Sequence, residues 1–145
     1  MTEERILALK NSALAVLKAR LPSCCTYHNA AHAERVFLAA EKLGRLEGLS
    51  PVELENLRLA AVFHDFGYIE SMFDNEKLAA KYVFEIGTPY GIDGARAERL
   101  AALVRETAYP YAPQSRLGKI LCDADIEYVG DRDFERQADC FRVEL

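Results

Sequence analysis

All three histidines of this 145-residue chain fall in two short motifs, Tyr27-His28-Asn29-Ala30-Ala31-His32 and His64-Asp65, and an Asp123-Ala124-Asp125 triplet follows about sixty residues later. Histidine is the commonest protein metal ligand and the side chain that titrates nearest neutrality, so a chain that spends none elsewhere points to chemistry at these positions. Two imidazole nitrogens and two carboxylates, from His32, His64, Asp65 and Asp125, make a ligand set for Mn, Fe, Co, Ni or Zn with positions left for water and substrate. Read on a continuous helix, His64 and Asp65 lie about 100° apart, close enough to share one cation. An aspartate beside the apolar stripe Leu54, Leu57, Ala61 is costly to bury unpaired, which again asks for a cation or a hydrogen-bond network. Asp125 follows Leu121 by four and precedes Tyr128 by three, on the inner side of its helix. Asp123 points the other way and reads as a capping or solvent-facing residue.

The elements that must carry these groups are helical throughout. Ile6, Leu9, Ala13, Val16 and Leu17 recur at three and four intervals until Pro22 ends the run. Asn29 is placed to cap a second helix with the inner stripe His32, Val36, Ala40, Leu43, broken at Gly44 or Gly48. Ser50-Pro51-Val52-Glu53 offers a serine cap, a proline at the first helical position and a glutamate that closes a capping box. The third helix is expected to run past His64 and stop near Gly67. A fourth begins at Asp74 or Asn75 and runs to Gly87, and a fifth spans Gly94 to Thr107. After a Pro-Tyr-Ala-Pro loop, a sixth is marked by Leu117, Leu121, Ala124 and Tyr128 and closed by Gly130. Phe134, Ala138, Phe141 and Leu145 repeat the signal in the tail. The fold expected is all-α, a compact bundle of about six to seven helices in one domain over residues 1–145. The last stripe is still in phase at Leu145, so the chain could be a fragment of something longer.

Composition narrows the function classes. A formal charge of -5 argues against a reader of nucleic-acid backbones, which needs a basic face. No apolar run approaches the roughly 20 residues that cross a bilayer, and the N-terminus carries Glu3 and Glu4 rather than a basic leader. Cysteines 24, 25, 122 and 140 form neither a C-x-x-C zinc module nor a regular disulfide framework, and they read as reduced thiols in a cytoplasmic protein. A small phosphorylated partner, ligand or substrate, stays compatible with this charge, because a bound cation supplies positive charge locally.

The order His32, then His64-Asp65, then Asp125 resembles the HD superfamily of metal-dependent phosphohydrolases, over most of the chain. Tyr27-His28-Asn29 followed by His32 is similar to the opening motif of class I cyclic nucleotide phosphodiesterases. That resemblance implies a general-acid role for His28 and a ligand role for His32. Asp74-Asn75-Glu76 and the stretch Leu121 to Gly130, with Phe134 and Glu144 beyond it, look like a bacterial subgroup of predicted HD phosphohydrolases whose natural substrate its name does not imply. The HD reading makes His28 and Asp65 the catalytic residues. The metal is one divalent ion, Mg included, with Asp65 able to bridge to a second. Dinuclear HD-GYP relatives supply further histidines after the HD pair, and this chain has none. Tyr68 stands where those relatives commonly place a lysine, and Tyr68, Arg35 and Lys77 are the candidate substrate contacts. The expected activity is hydrolysis of a small phosphoester, such as a nucleotide or cyclic nucleotide, by metal-activated water. The alternative is a regulatory module that binds metal and nucleotide with little turnover.

Overall fold

A computed structural model describes residues 1–145. Seven α-helices follow one another without a strand: α1 (Glu3–Arg20), α2 (Ala30–Leu46), α3 (Pro51–Phe63), α4 (Asn75–Gly87), α5 (Gly94–Arg105), α6 (Arg116–Asp125) and α7 (Phe134–Glu144). Single 3-10 turns at Phe66–Ile69, Thr88–Tyr90 and Glu127–Gly130 join them. No helix is long and apolar enough to cross a membrane.

The start signals work as their chemistry dictates. The Asn29 side chain accepts from the backbone N–H groups of Ala31 and His32, fixing the first turn of α2 just where His32 projects. Ser50 and Glu53 close both halves of a capping box, with Pro51 in the first turn of α3. Packing of α2 against α3 is the centre of the molecule. Val36, Phe37, Ala40, Leu57, Ala61 and Phe63 are buried there, and α1, α4, α5 and α6 close over them to give one apolar core. Gly44 does not break α2. It lets Leu54 and Leu57 of α3 approach, and the reversal comes at Gly48, whose φ of +67° favours glycine.

Two helices end sooner than their stripes suggest, and both ends matter. The α3 hydrogen bonding closes at Phe63, His64 is the C-cap, and Asp65 (φ -102°, ψ 9°) already belongs to the following turn. His64 and Asp65 therefore do not project from one regular helix, and the 100° expectation fails. The turn is locked by Gly67, where a Cβ would stand 1.9 Å from the Asn75 carbonyl oxygen, so only glycine lets α4 begin this close. Likewise α6 ends at Asp125, and Tyr128 sits on the next 3-10 turn instead of a continued helix.

α7 differs from the others. None of its side chains joins the apolar core, and Gln137 and Glu144 are its buried residues. Polar bonds tie it down: Arg35 donates to Gln137 Oε1 at 2.9 Å, Thr26 Oγ1 donates to the Cys140 carbonyl at 2.8 Å, and Glu144 accepts from the loop before α2.

Candidate metal centre

His32 rises from the first turn of α2, His64 caps α3, Asp65 opens the turn after it and Asp125 ends α6. His32 Nε2 lies 3.2 Å from Asp65 Oδ2 and 3.0 Å from Asp125 Oδ1. His64 Nε2 lies 3.1 Å and 3.3 Å from the same two oxygens, and the imidazole nitrogens are 3.3 Å apart. Both histidines are 1 % exposed. Atoms that all ligate one first-row ion at about 2.0–2.2 Å have neighbouring separations of about 3.0–3.4 Å, so the three separations among His32 Nε2, His64 Nε2 and Asp125 Oδ1 fit a cation, with Asp65 beside that group. Two further observations agree. His64 Nδ1 is 2.8 Å from the Ala61 carbonyl, which holds the proton on that nitrogen and turns the Nε2 lone pair inward. Asp65 Oδ2 is buried without a hydrogen-bond donor of proper direction, a costly arrangement unless a cation fills the gap. His32, His64 and Asp125 each offer a ligand atom within 4.8 Å of the others.

Charge in the metal-free quartet is strongly polarised. Burial alone would lower His64 and raise Asp65 and Asp125, yet the attraction between them wins: His64 is held well above the usual histidine range and both carboxyls below theirs. His32 is raised for the same reason, by Asp125 and Asp65 against its burial. The raised imidazoles stabilise the fold fully below the ordinary histidine value of 6.5 and lose that contribution as pH climbs through their folded values. The depressed carboxyls stabilise above 3.8 and lose it only as pH falls through their own folded values. Between pH 6 and 8 the metal-free protein should therefore lose melting temperature. Added Mn or Zn must displace the imidazole protons, so the stabilisation it brings should grow over the same range. Thermal denaturation with and without metal at pH 6, 7 and 8 checks this, and a metal increment independent of pH would contradict it.

A cavity of about 260 Å³ opens beside the quartet, walled in part by Asp65, Asp125, His28 and Tyr68. A larger cleft of about 480 Å³ lies between α1 and α3, but its charges are already paired, with Arg58 donating to both oxygens of Glu3 at 2.8 and 2.6 Å. On the wall of the smaller cavity, His28 Nδ1 bonds Glu144 Oε1. Glu144 Oε2 accepts from the backbone N–H groups of Tyr27 and His28 at 2.7 and 3.0 Å. One buried carboxylate thus fixes both the loop and the ring. Tyr68 stacks on His28 with centroids 4.2 Å apart, and its hydroxyl is 3.3 Å from Nε2. Burial, helped by Asp65, pushes the Tyr68 phenol up, so it stays neutral.

The structure brings His28, His32, His64, Asp65, Asp125 and Tyr68 together and leaves the other two sequence candidates out. Arg35 is drawn to Gln137 of α7 and borders only a minor crevice behind Asp125. Lys77 is exposed and pairs with Asp74 at 3.0 Å. Neither lines the cavity wall: Lys77 is exposed, and half-buried Arg35 is held on the far side of His32 and Asp125 by its bond to Gln137. Asp123 is exposed on α6. Two contributors escaped the sequence reading. Glu144 was noticed only as part of a resemblance, although an acid three residues past Phe141 on an apolar stripe is the same signal that marked Asp65. Tyr111, taken as loop, donates to Asp125 Oδ2 at 3.0 Å and leaves Oδ1 for the imidazoles.

The family model described as HD domain matches residues 29–127, about two thirds of the chain. The chain belongs to the HD family. All four quartet residues lie inside the matched HD segment, whereas His28 lies immediately before it and Glu144 well beyond its end. HD domains form a superfamily of metal-dependent phosphohydrolases, and the His and Asp cluster of this one has the composition to bind a divalent ion. No curated protein and no solved structure matches this HD chain.

Proposed function

We propose that this HD protein hydrolyses a small phosphoester with a divalent cation held by His32, His64, Asp65 and Asp125. What carries the reading is the convergence of these four side chains beside a cavity that Asp65 and Asp125 line and whose wall also presents an oriented imidazole, His28. The ligand set suits Mn, Fe, Co, Ni or Zn, and Mg with added water, in a single site. When bound, the cation supplies a nucleophilic water near neutral pH and offsets charge on the phosphoryl oxygens.

The chain's own residues do the rest. Glu144 accepts from His28 Nδ1–H and fixes the ring, with Nε2 beside the Tyr68 hydroxyl on the cavity wall. There Nε2–H donates its proton to the leaving oxygen as the phosphorus–oxygen bond breaks. Tyr68, stacked and neutral, holds the ring plane against that motion. Asp65 serves twice, as a ligand and as an acceptor toward the attacking water, and Tyr111 keeps Asp125 in its ligating rotamer. Elemental mass spectrometry on protein purified without a chelator, followed by a phosphoester panel run with the metal found, tests the reading. One to two first-row ions per chain and sustained phosphate release are expected. No metal after reconstitution would end it.

A second reading, binding without turnover in a regulatory module, draws on one observation: no lysine or arginine lines the cavity. Phosphate there would rely on the cation and His28 alone. Many turnovers per chain on any ester of the panel would dismiss it.

A further inference from the structure

The same missing basic side chains say something about the rest of the substrate. The cavity wall holds four carboxylates, and three of them have assigned work: Asp65 and Asp125 in the quartet, Glu144 behind His28. Glu76 has none. It stands in the first turn of α4 and accepts from Asn75 Nδ2 at 3.3 Å. Asn75 is 5 % exposed and lines the same cavity, yet its Oδ1 is buried with no hydrogen-bond donor. Exchanging its oxygen and nitrogen does not help, because the oxygen would then face the Glu76 carboxylate. An orphaned buried carbonyl beside a carboxylate is an acceptor pair waiting for a donor.

The remaining wall is aromatic. Six of the lining side chains are Tyr or Phe, and Tyr109 and Tyr111 meet edge to face with centroids 5.9 Å apart. Ring faces beside an acid, with no cation among the protein groups, are the surroundings that select an ammonium group. The volume of about 260 Å³ is below the usual range for organic ligands of about 300–1,000 Å³ and admits only a compact molecule.

We propose that the substrate is a small phosphorylated amine: one phosphoryl group at the metal quartet, a short apolar body, and an ammonium group that pairs with Glu76, whose carboxylate Asn75 Nδ2 orients. This rests on the metal-dependent phosphohydrolase reading and names the substrate class for that site. The site then selects a zwitterion, and it disfavours nucleoside polyphosphates, whose extra charges meet carboxylates instead of lysines.

Calorimetric titration of the metal-loaded protein tests it with 2-aminoethyl phosphate, its isostere propyl phosphate and ATP. The amine should bind about tenfold or more tighter than propyl phosphate, a ratio that corresponds to about 1.4 kcal/mol, with ATP weakest. Glu76→Gln should bring the amine and its isostere to within about threefold while leaving propyl phosphate affinity and metal content unchanged. Equal binding of the isosteres, tightest binding by ATP, binding of none, or an undiminished preference in Glu76→Gln would overturn the assignment. So would the loss of a metal ion in Glu76→Gln, which would make the Asn75 and Glu76 pair a second cation site. These readouts need no turnover. Failure of the hydrolase reading shows elsewhere, as absent metal or as no phosphate release from any ester.

Discussion

Replacing His64 by alanine is expected to remove metal retention and turnover together. His64 is 1 % exposed, and its Nε2 touches both carboxylates and the other imidazole, so no other group in the chain can move in to replace it. A bound cation contributes several kcal/mol of charge stabilisation to phosphoryl transfer, which sets the loss in kcat/KM at on the order of 10³ or more. The variant also leaves Asp65 and Asp125 buried with one positive partner fewer, so its metal-free form should melt lower than the parent. His64→Asn, closer in size and still able to bond the Ala61 carbonyl, separates the two effects: helical signal retained, metal gone. Elemental analysis and steady-state kinetics on both variants decide the matter. Parent-like activity in clean preparations of either would remove His64 from the chemistry.

The second large effect belongs to the pair His28 and Glu144. Loss of a general acid typically costs about 10²–10⁴ in rate, and His28→Ala should fall in that range on substrates with poor leaving groups while keeping its metal. Aryl esters, whose leaving oxygen needs no proton, should be spared. Glu144→Gln keeps the shape and an acceptor for the backbone N–H groups but replaces the carboxylate that holds His28 Nδ1 with an amide. A drop in kcat on the order of 10² is expected, with KM and metal content little changed. Because Glu144 acts through His28, the double variant His28→Ala, Glu144→Ala should be no slower than His28→Ala alone. Multiplying losses in the double variant, or an equal loss on aryl esters, would reduce Glu144 to a structural anchor.

Much of this arrangement was legible in the sequence, for physical reasons that can be named. Local caps are written in adjacent residues, which is why the Asn29 and Ser50 helix starts appear where the pattern places them. The quartet was legible because histidines and acids on apolar stripes are too costly to be idle. The exact geometry was not. Nothing in the periodicity of Leu54, Leu57, Ala61 and His64 says that the chain leaves the helix before Asp65; that follows from the close approach of Gly67 to Asn75, a contact across the fold. Arg35 and Lys77 lie away from the cavity wall. A positive charge near a motif suggests phosphate, but the direction of the side chain is set by partners such as Gln137 and Asp74. Glu144 reaches His28 across 116 residues of chain, a separation that no local pattern reports.

The way α7 is fastened has a consequence for how this protein would fail. The quartet is anchored in elements that share the apolar core, whereas α7 contributes nothing to that core and is held by a few polar bonds and by Phe141 against Tyr27 and His28, with Phe134, Val143 and Leu145 left exposed. Segments with little apolar burial open on their own, well below the free energy of global unfolding. When α7 lifts, Glu144 leaves with it and His28 loses its orientation, while the four ligands stay in place. With His28 acting as proposed, warming is expected to cost proton donation first, before the four ligand positions are disturbed.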